Sequence, residues 1–174
     1  MGATHRSPFV NARTDILAAI RRAGVPAAPA AASVTPAPVE GPLLDRFVAV
    51  LHMVGGRALL RRPSQSLHDV VASLAEPGNP GTVVRGQIGV AENGSVYVDA
   101  ADLGDRTDVV RPEHLVLVIA ATAIVATMHE AVRRVPAGSR CGWFLSGPSK
   151  TADIEQSLVV GAQGARTLHV ILEA

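Results

Sequence analysis

The chain has 174 residues, of which 48% are hydrophobic and 18% charged, enough to form one buried core at ordinary domain sizes. Lysine and arginine together number 16 and aspartate and glutamate 15, so a net charge of +1 provides no basic field that would hold nucleic acid. Aromatic residues make up only 3%, which leaves few rings for stacking against bases. We therefore expect neither DNA nor RNA as a partner.

Cysteine content and hydropathy predict the compartment. Cys141 is the single cysteine, so it forms no internal disulfide and supplies too few thiolates for a zinc site or an iron-sulfur cluster. The first residues lack the apolar segment of a signal peptide. The longest apolar run, 115–126, falls short of the roughly 20 residues of a membrane helix. These features predict a cytoplasmic protein without a membrane span.

The first 42 residues are predicted to form a helix and a linker. Asn11 is a candidate cap for a helix ending at Ala23, with apolar residues at helical spacing and Gly24 just past its end. Residues 25–42 are rich in proline and alanine, a composition typical of an extended linker. The predicted organisation is therefore a helix over 1–24, a linker over 25–42 and a domain over 43–174.

From residue 43 onward, helical stretches alternate with short β-branched runs, which predicts an α/β domain with a mostly parallel sheet. The spacing of apolar residues predicts helices at 43–53, 65–75, 124–135 and 153–160. The same criteria predict strands at 57–60, 82–85, 88–91, 95–98, 115–119, 142–145 and 168–172.

The loop that follows the strand at 142–145 is the first candidate site. It delivers small residues and Lys150, the only lysine, to the start of the helix predicted at 153–160, where backbone amides favour an anion. The candidate ligand-binding residues are Ser146, Gly147, Ser149, Lys150, Thr151, Asp153 and Glu155, together with Asn93 and Gly94 of the second candidate site. The alternative is a structural turn in which Ser149 or Thr151 caps the helix and the two carboxylates complement its dipole.

The second candidate site is Glu92-Asn93-Gly94, between two predicted strands. Asn-Gly favours a tight hairpin turn, which would hold the Glu92 carboxylate at a fixed place where it could act as a base or nucleophile. The alternative is an exposed glutamate beside an ordinary turn. We expect Glu92 and the loop at 149–153 to converge at the C-terminal ends of the strands, where α/β sheets place ligands.

Metal binding is not predicted. Aspartate recurs every third residue from Asp99 to Asp108, a spacing that differs from an EF-hand and favours a solvated acidic loop. The six histidines are scattered without a paired metal-ligand spacing.

Four segments together resemble a known family. The run Ser-Gly-Pro-Ser-Lys-Thr-Ala-Asp-Ile-Glu-Gln-Ser-Leu from residue 146, and Gly-Ala-Gln-Gly-Ala-Arg-Thr-Leu-His-Val-Ile-Leu from residue 161, resemble the C-terminal signature of the lactate-utilisation protein C family, whose domain is the LUD domain. The segment 88–96 and the strand from His114 are similar to the family's middle region.

The resemblance implies a three-layer αβα fold like that of ribose-5-phosphate isomerase, glucosamine-6-phosphate deaminase and CoA-transferases. It implies an accessory role in oxidising L-lactate to pyruvate beside iron-sulfur redox partners, which would carry the clusters, with no cofactor in this chain. A small anionic ligand and a homo-oligomer stay open. The alternative is an enzyme, since Glu92-Asn93-Gly94 also resembles the glutamate motif of CoA-transferases, in which the carboxylate forms an acyl intermediate.

Overall fold

The computed structural model describes residues 12–24, 38, 40–75, 79, 81–152 and 158–174. The chain separates into two units, Met1–Thr35 and Pro36–Ala174. The predicted capping residue Asn11 and most of the predicted linker, 25–37 and 39, lie outside the described residues. The domain boundaries given above therefore remain predictions.

Helix α1, Ala12–Arg22, is the described element of the first unit. Arg21 and Arg22 occupy its last turn, where positive charge complements the helix dipole. The chain then turns at Gly24, whose φ of 57° suits a helix C-terminus. The helix agrees with the prediction to within a residue at its C-terminal end.

The second unit contains the remaining described elements. Its helices are α2 (Leu43–Met53), α3 (Leu67–Leu74) and α4 (Met128–Arg134). Its strands are β1 (Arg57–Arg61), β2 (Thr82–Arg85), β3 (Ile88–Val90), β4 (Ser95–Asp99), β5 (His114–Ala120), β6 (Ile124–Val125), β7 (Gly142–Leu145), β8 (Lys150–Ala152), β9 (Leu158–Val160) and β10 (Thr167–Glu173). Short 3-10 turns occupy Ala100–Asp102, Arg106–Val109 and Ala121–Ala123.

These strands form a parallel central sheet, a second mixed sheet and a hairpin. The central sheet has the order β1-β10-β5-β2, and all of its neighbouring strands are parallel. The second sheet has the order β6-β3-β4-β7, and its β3 and β6 are parallel while the other pairs are antiparallel. Strands β8 and β9 form the antiparallel hairpin. The predicted α/β class with a mostly parallel central sheet is confirmed.

The central sheet is covered on both faces, as parallel sheets generally are. Along β5, Leu115, Leu117 and Ile119 join a core that includes α2 and the inner face of the second sheet. The alternate residues Val116 and Val118 pack with α3. Burying each of these side chains contributes about 2 kcal/mol, so the continuous apolar run of β5 is what places it inside the sheet. Helix α4 covers the second sheet in a separate cluster.

Two predicted helices differ from the structure. The segment 124–135 begins as strand β6, and α4 starts only after Thr127, whose side chain accepts from the Glu130 amide and caps the helix. The helix predicted over 153–160 is wrong for its described part, since Leu158–Val160 is β9 and pairs with β8. Two of the three β9 residues are β-branched valines, which favour a strand.

The aspartates at 99–108 cap turns. Asp99 accepts from the Ala101 amide at 2.9 Å, and Asp105 accepts from the Thr107 amide at 2.8 Å. These backbone hydrogen bonds are the main reason that the pKa of each carboxyl is lowered. Asp99 is only 4% exposed, so the prediction of a solvated loop is wrong for this residue.

Candidate functional site

The predicted loop at 146–151 borders a cleft of about 300 Å³. Gln163, Gly164 and Ala165 line its other side, and Leu115 and Leu168 contribute apolar surface. The last two residues stand near the starts of β5 and β10. The cleft therefore lies at the N-terminal ends of these parallel strands, whereas we had expected the site at their C-terminal ends.

Lys150 contacts the end of α2. Its Nζ donates a hydrogen bond of 2.7 Å to the backbone carbonyl of Val54, the residue that follows the last turn of the helix. A Cβ atom added to Gly55 would lie 2.9 Å from the same Nζ, so the ammonium group lies directly against this turn. Positive charge at a helix C-terminus stabilises the helix, which gives Lys150 a structural role.

Gly147 approaches the same carbonyl. Its φ is 72°, and a Cβ at this position would lie 2.5 Å from the Val54 oxygen. Only glycine can occupy this position without displacing the α2 terminus. The loop and the end of α2 are thus fitted to each other through Val54, Gly147 and Lys150.

Backbone pairing uses part of the loop that is predicted to bind an anion. The Ser149 amide donates to the Ala165 carbonyl at 2.8 Å, and the Ser149 carbonyl accepts from the Gly161 amide at 2.9 Å. Thr151 pairs with Val159 in the hairpin. The described residues on either side of 153–157 form the β8–β9 hairpin and not the predicted helix. Asp153 and Glu155 lie outside the described residues.

The loops at 92–94 and 146–149 are brought together. The Ser146 hydroxyl donates a hydrogen bond of 2.7 Å to the Asn93 carbonyl. The Asn93 side chain accepts from both the amide and the hydroxyl of Ser95, at 3.0 and 2.7 Å. Gly94 has a φ of 66°, and a Cβ added there would lie 2.8 Å from the backbone nitrogen of Leu51 in α2. The predicted tight turn between two strands is confirmed.

Glu92 points toward α4. Its exposed carboxylate accepts a hydrogen bond of 2.7 Å from the amide of Met128, the first residue of that helix. A negative charge there complements the helix dipole. Glu92 is not among the residues that line the cleft beside Lys150. A catalytic role for Glu92 therefore remains a prediction, and the observed contact is a structural one.

Two groups that complete this region could not be identified from the sequence. They are the carbonyl of Val54, which receives Lys150, and the segment 163–165, which lines the cleft. No local motif marks either one. The contact of Lys150 with Val54 joins residues 96 positions apart in the sequence, so it forms only when the chain folds.

Two further observations concern the described ranges alone. No three His, Cys, Asp or Glu side chains within them are grouped so as to hold a metal ion. None of the described helices is long and apolar enough to cross a bilayer.

Comparison with known proteins matches residues 83–172 to the LUD domain model. The chain belongs to the LUD-domain family. The matched segment begins in β2 and ends in β10, so it contains both candidate loops, while the α2 terminus that receives Lys150 precedes the matched segment.

Curated relatives cover part of the LUD-domain chain. It is 33% identical over 130 residues to lactate utilization protein C of Shouchella clausii, which covers 65% of the chain and 54% of that protein. It is 36% identical over 105 residues to lactate utilization protein C of Deinococcus radiodurans, covering 58% of the chain and 50% of that protein. The chain thus spans about half the length of these relatives.

A solved structure supports the fold of this LUD-domain chain. The crystal structure of a DUF162 family protein from Deinococcus radiodurans aligns with a TM-score of 0.56 at 17% identity, covering 76% of this chain and 96% of that one.

Proposed function

We propose that this LUD-domain chain acts in lactate utilisation, as an accessory subunit of a system that oxidises L-lactate to pyruvate with iron-sulfur partner proteins. The observation that carries the proposal is the 33% identity over 130 residues to a protein named lactate utilization protein C. The matched family domain contains the loops at 92–94 and 146–151, which the fold joins through Asn93 and Ser146.

The contacts of the candidate residues support an accessory role. Glu92 binds the first amide of α4, Lys150 binds the end of α2, and Asn93 holds its own turn. Two groups that were candidates for a base and an anion contact, Glu92 and Lys150, are thus engaged with backbone at helix ends. These residues build a shaped surface, which suits a subunit that docks onto partners.

The need for an electron acceptor supports separate roles for this chain and for the iron-sulfur partner proteins. Oxidation of L-lactate to pyruvate releases two electrons, which must pass to an acceptor. Clusters are held by several cysteine thiolates, and this sequence contains Cys141 alone. In the proposed system, the clusters therefore belong to the partner proteins, and this chain completes the assembly.

Co-purification tests the association. The tagged chain would be co-expressed with iron-sulfur proteins of a lactate-oxidising system from the same organism, isolated without oxygen, and assayed for iron and for bound subunits. We expect stoichiometric recovery of at least one iron-sulfur subunit. Recovery of the chain without any iron-containing protein would contradict the proposal.

A further inference from the structure

A second cavity lies beside the start of the central sheet, between the C-terminal end of α3 and strands β1 and β10. Its volume is about 490 Å³. Among its lining residues are Arg57, Arg166 and His169, together with Ser73 and Thr167, and none of the lining residues is a carboxylate. We call this cavity the basic groove.

The parallel register places the basic side chains side by side. Arg57, the first residue of β1, is the direct neighbour of His169 in β10. Arg166 immediately precedes β10 and lines the same groove. Residues that are about 110 positions apart in the sequence therefore converge on one opening.

Lys150 adds a positive charge at the rim. Gly55 lines the groove, and a Cβ on this glycine would lie 2.9 Å from Lys150 Nζ. The only lysine of the chain is thus held by the Val54 carbonyl at the edge of the arginine-lined cavity.

The charge balance of the basic groove is positive. Glu113 pairs with Arg166 and offsets its charge, and the α3 terminus contributes about half a negative charge. Arg57 has no carboxylate within ion-pair distance in the part of the chain that the structure describes, and Lys150 contacts a neutral carbonyl. The α2 terminus beside Lys150 contributes about another half negative charge, so among the described residues about one positive charge stays uncompensated at the groove.

We propose that the basic groove binds a small oxyanion, the carboxylate of an organic acid or a phosphate, with Arg57 as the principal contact. A guanidinium presents paired donors that match both kinds of oxyanion. Ser73 and Thr167 also line the groove, but their hydroxyls are engaged with the Val70 carbonyl and the His114 ring, so the guanidinium of Arg57 is the main donor available to such a ligand. This site is distinct from the cleft at 146–151, and its occupancy is independent of the role in lactate utilisation.

Binding is tested by titrating the full ¹⁵N-labelled chain with L-lactate or inorganic phosphate, against chloride at equal ionic strength, while following backbone amides by NMR. The matched variants are Arg57→Gln and Arg62→Gln. Both remove one positive charge from an exposed arginine, but Arg62 lies beyond the opposite end of β1.

We expect saturable shifts at Thr167 and His169 for the wild type and Arg62→Gln, with affinity about tenfold weaker in Arg57→Gln because a charge-assisted contact is lost. Stronger binding of lactate would identify a carboxylate ligand, and stronger binding of phosphate would identify a phosphate compound. Equal affinities of the two variants, shifts centred on 146–151, or no saturable shift with either probe would overturn the proposal.

Discussion

The ammonium of Lys150 and the carbonyl of Val54 are joined by a hydrogen bond of 2.7 Å across 96 residues of sequence. This contact attaches the loop after β7 to the C-terminal end of α2, which packs on the central sheet through Phe47 and Leu51. Part of the chain that had been predicted to bind a ligand thereby supports the core.

Replacing Lys150 by methionine is expected to lower the free energy of unfolding by about 1 kcal/mol, because a cation at a helix terminus is lost from an exposed position. Urea unfolding of the wild type, Lys150→Met and Lys150→Arg measures the effect, and arginine should retain most of the stability. Unchanged stability of Lys150→Met would show that the contact with Val54 contributes nothing to folding.

Gly147→Ala is expected to lower the free energy of unfolding by about 2 kcal/mol or more. Gly147 has a positive φ, and the added Cβ would lie 2.5 Å from the Val54 carbonyl oxygen. Gly138→Ala is the matched control, because a Cβ added there meets nothing within 4 Å. The free energy of unfolding of this variant should stay within about 0.5 kcal/mol of the wild-type value. Similar melting temperatures for the two variants would refute the close approach of the loop to α2.

Glu92→Gln separates the structural role of this residue from a catalytic one. The substitution weakens an exposed interaction with the first amide of α4, so we expect the free energy of unfolding to fall by about 0.5 kcal/mol. Incubating the wild type with acyl-CoA thioesters and measuring intact mass should show no adduct. A covalent adduct that maps to Glu92 and disappears in Glu92→Gln would instead support the CoA-transferase alternative.

The stability of the folded protein should depend on pH at low pH because of Asp99. Its pKa is lowered chiefly by the hydrogen bond from the Ala101 amide, and then by Ser139 and Tyr97. Because the folded-state pKa lies below the ordinary value of 3.8, the contribution is complete above that pH and is lost as the pH falls through the lowered pKa.

Thermal melting of wild type and Asp99→Asn between pH 7 and pH 3 tests this dependence. Asp99→Asn should melt at a lower temperature than the wild type at pH 7. The difference between the two melting temperatures should become smaller as the pH approaches 3. Glu40→Gln, at an exposed position, should follow the wild type throughout. A difference between wild type and Asp99→Asn that stays constant over this range would contradict the assignment.

The sequence correctly predicts helices and strands where the spacing of apolar residues and the neighbouring turn or cap residues indicate the same element. Residues 43–53 form the predicted helix because apolar spacing and the preceding proline coincide, and 82–85 and 142–145 form the predicted strands. Prediction fails at Leu158–Val160, where Ser149, Thr151 and Asp153 imitate a helix start but the β-branched residues pair with β8 instead. Strand pairing is a tertiary interaction, and it overrides the local capping pattern.

The candidate site is predictable only in part. The Asn93-Gly94 turn is encoded locally, since asparagine accepts from the backbone two residues on and glycine accepts positive φ. In contrast, the contact of Lys150 with Val54 and the meeting of Arg57 with His169 depend on how distant strands and helices are ordered. No periodicity in the sequence specifies that order.

The most direct test of the proposed role is L-lactate-dependent dye reduction by the iron-sulfur partner proteins, measured with and without this chain. The account predicts little reduction by the chain alone or by the partners alone, and sustained formation of pyruvate when they are combined. Full activity of the partners without the chain, or lactate oxidation by the chain alone, would contradict its role as an accessory subunit.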